Sequence, residues 1–192
     1  MRAQKLAVRT SPFSRAHAVS KPKTSGKLSE FVVGQKVVYP GHGVGQIQSI
    51  ESKEIAGSSI SFYMIRILES DVTVMVPLNK VDSVGLRPTV SAKEVEDVYT
   101  MLRDKKIVVE QTTWNRRYRE YMEKIKTGSI VEIGEVVRDL CVLRQDKVLS
   151  FGERKMLELA KGLLVKELAI GEGTDEPTVE AQVEEIFTKT TA

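Results

Sequence analysis

Cysteine, histidine and tryptophan are scarce in this chain of 192 residues, which has one cysteine, two histidines and one tryptophan. The single Cys141 agrees with a reducing compartment, and its apolar helical surroundings indicate a small buried hydrophobe and not a nucleophile. His17 lies in a basic N-terminal segment and His42 in a glycine-rich turn, so no histidine pair is available for a metal ion or a catalytic triad. We therefore expect a protein without a metal, a cofactor or catalysis of those kinds.

Long hydrophobic runs are also missing. No stretch of about 18 apolar residues occurs, and the N-terminus lacks the apolar core of a signal peptide. A hydrophobic content of 41% is nevertheless enough for a real core in one or two domains. We expect a soluble cytoplasmic protein, associated with the nucleoid and with no membrane partner.

Charge is distributed unevenly along the chain. The net charge is +3, yet residues 1–29 contain seven Lys or Arg and no acid. This segment is rich in Ser, Thr and Ala and is predicted to be a disordered basic tail. An electrostatic arm for nucleic acid is one interpretation, and a mitochondrial-type transit peptide is the other, although Pro12 and Pro22 weaken the amphipathic helix that it requires.

Short β-rich runs follow the tail, each bounded by a turn signal. They cover residues 35–39, 44–54, 59–68 and 72–81. Four or five antiparallel strands in about 55 residues are typical of a small SH3- or Tudor-like β-barrel. Pro77 cannot donate a ladder hydrogen bond, so it should mark a sheet edge or a strand end. The glycines at 41, 43 and 45 lead into another strand, which favours a tight hairpin over a phosphate-binding loop.

The pattern changes to helices after Pro88. Three of them begin with a serine that is followed three residues later by a glutamate, the capping-box pattern: Ser91 with Glu94, Ser129 with Glu132, and Ser150 with Glu153. Gly128 and Gly171 are expected to end the preceding helices. We predict helices at 92–103, 113–127, 130–145, 151–170 and 178–187, hence an α+β multidomain chain: tail 1–29, barrel 30–88 and compact all-α domain 89–190.

Trp114 stands out because three arginines and two tyrosines surround it within residues 112–121. Arginines neutralise phosphates, and a flat aromatic side chain can enter a loosened base step. Trp114 also shares a helical stripe with Tyr118, Tyr121 and Ile125, the pattern of a core-facing helix. Its position in the first turn, after a threonine N-cap, allows it to project past the helix end. Packing and nucleic-acid contact therefore both remain open.

Four sequence strings resemble the CarD family of bacterial transcription regulators, most closely its CdnL-type members. The strings are VYPGHGVG at 38–45, MVPLNKV at 75–81, TWNRRY at 113–118 and LSFGERKML at 149–157. They occur in the expected order across about residues 30–187. The resemblance implies a non-enzymatic factor whose Tudor-like domain docks on the RNA polymerase β subunit. Its helical domain would contact promoter DNA at the upstream edge of the bubble and stabilise the open complex.

The same resemblance implies roles for individual residues. Trp114 would enter the minor groove without strong sequence specificity, while Arg116, Arg117 and Arg119 would hold backbone phosphates. Met122 and Phe151 would form an adjoining apolar patch. The residues implied at the polymerase contact are Lys53, Met64, Met75 and Pro77. Some relatives carry arginine at the positions of Lys53 and Met75, so a hydrophobic contact is implied at Met75. The protein is expected to be a monomer.

Two other interpretations compete with this one. A protein-only adaptor would dock on polymerase or on a repair translocase, with Trp114 buried. A helix-turn-helix DNA reader is suggested by the two helices that meet at Gly128. The arginines cluster at the start of the earlier of those helices, which argues against the second alternative.

Overall fold

The computed structural model describes residues 31–55, 57–104 and 113–188. The predicted basic tail at 1–29 lies outside these residues. The sheet consists of β1 (Lys36–Tyr39), β2 (Gly43–Ile55), β3 (Ser58–Ile67), β4 (Thr73–Pro77) and β5 (Arg87–Pro88). A 3-10 turn (Leu78–Lys80) and the short helix α1 (Val81–Val84) lie between β4 and β5. The longer helices are α2 (Ala92–Arg103), α3 (Trp114–Thr127), α4 (Ile130–Asp146), α5 (Phe151–Glu172) and α6 (Glu176–Thr188).

The sheet is antiparallel and open, with the strand order β4-β3-β2-β1-β5. The predicted Tudor-like arrangement of short antiparallel strands is confirmed, but its closure into a barrel is wrong. The edge strand β5 has only two residues, Arg87 and Pro88, and proline has no N–H to donate. Such a strand cannot extend the hydrogen-bond ladder round to β4.

The strand predicted at 72–81 is shorter in the structure, because β4 ends at Pro77. The chain then turns into the 3-10 segment. β4 lies at the edge of the sheet, so Pro77 marks both an edge strand and its end, as its missing N–H predicted.

The predicted hairpin between β1 and β2 is confirmed. His42 donates its backbone N–H to the Tyr39 carbonyl at 3.0 Å. Gly41 and Gly43 have φ of 74° and 83°, in the left-handed region that glycine adopts without strain. A Cβ atom on Gly43 would also lie 2.9 Å from Leu163 of α5, so this turn needs a small residue for packing as well.

The helix starts follow the predicted caps closely. Ser91 and Ser150 form complete capping boxes with the glutamates three residues on. Ser129 caps the N–H of Glu132, while the Glu132 carboxylate accepts a hydrogen bond from Thr127 at 2.5 Å. The third box is therefore only half formed.

The prediction that Gly171 ends a helix is wrong. α5 continues to Glu172, and Gly173 ends it with a left-handed φ of 68°. Gly171 instead lies where α5 passes close to Val90 and Val95, and a Cβ atom there would lie 2.8 Å from Val90. Close packing, and not helix termination, accounts for the glycine. Gly128 does end α3, with φ of 71°, as predicted.

Separate apolar clusters lie in the sheet and among the helices. The sheet cluster includes Val37, Ile47 and Ile65, and the larger helical cluster includes Leu140 and Leu164. Cys141 is buried in the helical cluster, as predicted, and burial raises the pKa of its thiol to about 11.

Arg87 connects the sheet to the helices. Its guanidinium donates to both carboxylate oxygens of Glu167 on α5, at 2.6 and 2.9 Å. It also donates to the carbonyl of Gly128, at the end of α3. A second bond across the junction joins Lys166 to Glu69. The two helices that begin with Trp114 and Phe151 are thus held by one residue of the sheet.

Candidate nucleic-acid interface and protein-docking face

Trp114 is the first residue of α3 and is half-buried. Thr113 is the N-cap residue, although its side chain makes no capping hydrogen bond. The indole ring lies over the first turn of α5, where a Cβ atom on Gly152 would come within 2.9–3.0 Å of it. Tyr118 meets it edge-on, with ring centroids 5.7 Å apart. The ring therefore packs on one side and is partly open to solvent.

Two further aromatic side chains extend this region. Phe151 is 70% exposed and directly precedes Gly152 in the chain, while Tyr118 is 46% exposed. We call Trp114, Tyr118 and Phe151 the aromatic surface. Met122 is half-buried and packs against the helical core beside it. An exposed phenylalanine at the start of α5 and a partly open tryptophan at the start of α3 are side chains of the kind on which bases stack.

The three arginines next to Trp114 do not share one environment. Arg116 and Arg119 are exposed, and Arg116 forms an i,i+4 ion pair with Glu120 at 3.0 Å. Arg117 is only 7% exposed, and its guanidinium binds Glu153 at 2.5 Å. The phosphate contact implied for Arg117 stays a prediction, and the burial and pairing of its charge argue against it. Arg116 and Arg119 remain available for that contact.

The four residues expected at a protein contact lie on one face of the sheet. Met64 on β3 is the direct partner of Met75 on β4, and Pro77 at the end of β4 pairs with Phe62. Lys53 on β2 reaches Met75, with 3.3 Å between Nζ and the sulfur. Met75 is 52% exposed. Side chains alternate between the two faces of a strand, so this face, the outer face, is opposite the sheet core.

Matches to known protein families cover both parts of the chain. Residues 31–90 match the CarD-like/TRCF RID domain, and residues 97–184 match the C-terminal domain of CarD. The chain belongs to the CarD family. This family consists of transcription-associated factors that interact with RNA polymerase, and it is not a family of enzymes.

The chain is also similar to individual proteins. The Bacillus subtilis (strain 168) protein named "Putative transcription factor YdeB" is 35% identical over 154 residues, which cover 79% of this chain and 98% of that protein. The structure of CdnLNt from Myxococcus xanthus is 48% identical and covers 35% of this chain and 96% of its own, with a TM-score of 0.29. The N-terminal domain of Myxococcus xanthus CarD is 39% identical over 37% of this chain and 93% of its own, with a TM-score of 0.28.

A buried ion-pair network lies beneath the aromatic surface of this CarD-family chain. Glu153 is 1% exposed and accepts hydrogen bonds from Arg117, from Lys147 at 3.1 Å and from the Ser150 backbone N–H at 2.8 Å. Burial alone would raise the pKa of Glu153, but these donors outweigh it and lower the pKa to about 2. Glu153 therefore stays ionised and fastens the start of α5 to α3.

Sequence reasoning did not identify two residues of this region. Glu153 is predicted as the partner of Ser150 in a capping box, but its pairing with Arg117 spans 36 positions and leaves no local signal. Gly152 was passed over, although a glycine directly after a capping serine and a phenylalanine is a poor helix former that packing must justify. The close approach of the indole ring supplies that reason.

The described residues contain no group of three or more His, Cys, Asp or Glu side chains that could hold a metal ion. In the same residues, no helix is long and apolar enough to cross a membrane.

Proposed function

We propose that this CarD-family protein binds the RNA polymerase β subunit and promoter DNA at the same time, and so stabilises the open complex. The outer face of the sheet, with Lys53, Met64, Met75 and Pro77, makes the polymerase contact. The aromatic surface meets the minor groove at the upstream edge of the bubble. The protein acts as a monomer at the nucleoid, with a polymerase-binding domain at 30–88 and a DNA-contacting domain at 89–190.

The observation that carries this proposal is the environment of Trp114. The ring is partly exposed at a helix start, beside the exposed Phe151 and close to the exposed Arg116 and Arg119. A base step that is already partly unstacked accepts an aromatic wedge more readily than intact duplex does. The wedge therefore stabilises the open complex by the difference between its affinities for the two states.

The polymerase contact strengthens the effect of the DNA contact on the open complex. The polymerase contact raises the effective concentration of the aromatic surface at the bubble edge, so a weak DNA contact is sufficient. Arg116 and Arg119 supply charge without sequence readout, which suits a factor that acts at many promoters.

The experiment that tests this proposal is the lifetime of promoter open complexes under competitor challenge. Wild-type protein should prolong the lifetime, and Trp114→Ala should abolish most of that effect while polymerase binding, measured separately, survives. Trp114→Phe is the matched control, because it keeps an aromatic ring and should retain part of the effect. An unchanged lifetime with a folded Trp114→Ala protein would contradict the wedge.

The close packing of Trp114 over Gly152 supports a second function, a protein-only adaptor in which the ring has a structural role. Trp114 is the only tryptophan of the chain, so its fluorescence decides between the two. Emission that changes when bubble-containing DNA is added supports direct contact. Emission that stays constant while polymerase still binds supports the adaptor.

A further inference from the structure

The first turn of α5 is fixed to α3 from several directions. The Glu153 carboxylate binds Arg117 of α3 through one oxygen, and its other oxygen accepts the Ser150 N–H. Lys147, just before α5, binds the same oxygen as Arg117. Ser150 in return caps the Glu153 N–H at 3.3 Å. The carboxylate is therefore held at both oxygens, by the Ser150 backbone at one and by Arg117 and Lys147 at the other.

Arg117 lies between this carboxylate and the indole ring. It follows Trp114 by three residues on α3, so the two side chains are neighbours on the helix surface. The Arg117 guanidinium carbon is 5.9 Å from the centre of the Trp114 ring, within the range of a cation–π contact. The ring in turn lies over Gly152, which directly precedes Glu153.

We propose that the Arg117–Glu153 ion pair is a positioning element for Trp114. It holds the indole ring across the start of α5, in the orientation from which the ring meets promoter DNA. Arg117 and Glu153 do not touch the DNA and act through Trp114. This inference rests on the proposed function. It assigns the orientation of the Trp114 ring to Arg117 and Glu153, which are buried beneath the aromatic surface.

Directionality explains why an ion pair suits this place. An apolar pair of similar size would pack as densely and would avoid the desolvation cost of two charges. The Arg117 guanidinium, bonded to the Glu153 carboxylate through Nη2 and only 7% exposed, nevertheless has few orientations open to it. The Trp114 ring, which lies against the guanidinium, is therefore also limited to few orientations. A binding group that is already oriented loses less conformational entropy on contact with DNA.

The test uses the full-length chain, whose single tryptophan reports the ring directly. Arg117→Met removes the charge and keeps an unbranched stem, and Glu153→Gln keeps a side chain that can complete the capping box. Lys126→Met on α3 and Glu158→Gln on α5 are matched controls, because each removes one charge from an exposed i,i+3 pair. Urea unfolding identifies the conditions in which every variant is folded.

The expected result has two parts. In Arg117→Met and Glu153→Gln, the Trp114 emission shifts to longer wavelength and quenching by acrylamide rises, while the two controls match wild type. The open-complex lifetime falls by a factor on the order of three in the same two variants, with polymerase binding unchanged. The double variant should be no worse than the more affected single one, since both lose the same pair. Arg117→Lys, which keeps the charge, should recover part of the lifetime.

The outcomes separate this inference from the proposed function. Unchanged emission in both variants overturns the positioning role, whatever the lifetime does. Shifted emission with an unchanged lifetime overturns it too, provided that Trp114→Ala shortens the lifetime. If Trp114→Ala itself leaves the open-complex lifetime unchanged, the proposed function fails, and the part of this inference that concerns promoter DNA fails with it. The Trp114 emission of the other variants still shows whether the ion pair orients the ring.

Discussion

The sheet and the helices differ in whether their buried side chains include charged ones. In the described residues, the buried charged side chains are Arg117, Arg138, Glu153 and Glu167, and all four belong to the helices. In the described residues up to Pro88, none of the buried side chains is charged. The outer face of the sheet lies opposite its core, whereas the aromatic surface lies directly over a buried ion pair. Binding and folding should therefore be separable at the outer face of the sheet and coupled at Trp114, the member of the aromatic surface that packs on α5.

The largest effect is expected where the two parts meet. Arg87→Met leaves the Glu167 carboxylate, whose side chain is 3% exposed, without its cation. Breaking a buried pair from one side costs about 3–5 kcal/mol of unfolding free energy. Arg66→Met is the control, because it removes an arginine from an exposed ion pair with Asp71 in the sheet, where about 0–1 kcal/mol is expected. If urea unfolding showed equal losses of unfolding free energy in Arg87→Met and Arg66→Met, the contrast between buried and exposed ion pairs would not hold.

The pH dependence of Arg87→Met adds a second test. Burial raises the pKa of Glu167, and Arg87 opposes that rise. Without Arg87 the pKa should rise further, so the folded protein takes up a proton more readily than the unfolded chain. Stability then falls as the pH rises through the raised pKa. The deficit of the variant relative to wild type should shrink on acidification, and a deficit that is constant with pH would show that Glu167 is not its source.

The next effect concerns the ion pair under the aromatic surface. The pKa of Glu153 is about 2 in the folded protein, against 4.5 as its ordinary value. Its contribution to stability is present above the ordinary value and is lost as the pH falls towards 2. Between pH 6 and pH 3 we expect a loss of about 2 kcal/mol in wild type that Glu153→Gln does not show.

Asp71→Asn is the matched control for Glu153→Gln, because it removes a carboxylate from an exposed pair in the sheet. Urea unfolding of this variant should keep the acid dependence of wild type. If Asp71→Asn reduced that dependence as much as Glu153→Gln does, the contrast between the two parts of the molecule would not hold.

Local signals allowed much of the fold to be predicted from the sequence. The capping serines and their glutamates fixed the starts of α2, α4 and α5, because a cap depends on residues three positions apart. The limits of elements failed where a nonlocal factor decided them. Gly171 resembles a helix end, yet α5 continues past it, and the residue is a glycine because a Cβ atom there would meet Val90. Closure of the sheet depends on the length of β5, which no local pattern specified.

The residues of the candidate site could be named from the sequence, but their arrangement could not. The resemblance implied Met64 and Met75 at one contact, and only the strand register places them opposite each other on the outer face of the sheet. The different environment of Arg117 could not be predicted, because three arginines near one tryptophan look equivalent in sequence. Only the partner on another helix separates it from Arg116 and Arg119.

Gly152 and Gly162 on α5 test whether the coupling between folding and binding is confined to the surroundings of Trp114. Among the described residues, no packing neighbour would lie within 4 Å of a Cβ atom on Gly162, whereas a Cβ atom on Gly152 would meet the Trp114 ring at 2.9 Å. Gly162→Ala should stabilise the protein by about 0.5–1 kcal/mol through helix propensity and leave Trp114 emission unchanged. Gly152→Ala should lack that gain and shift the emission. Equal behaviour of the two variants in thermal unfolding and fluorescence would contradict the packing of the ring.

The smallest effects on stability are expected at the outer face of the sheet and at the aromatic surface. There the two parts of the molecule should differ in which partner they bind. Met75→Ala and Phe151→Ala each remove an exposed apolar side chain, and each should change the unfolding free energy by no more than about 0.5 kcal/mol. Met75→Ala should weaken association with polymerase and leave the emission of Trp114 unchanged. Phe151→Ala should keep polymerase association and shorten the open-complex lifetime. Because neither protein is destabilised, a variant that lost both activities would show that one surface serves both partners.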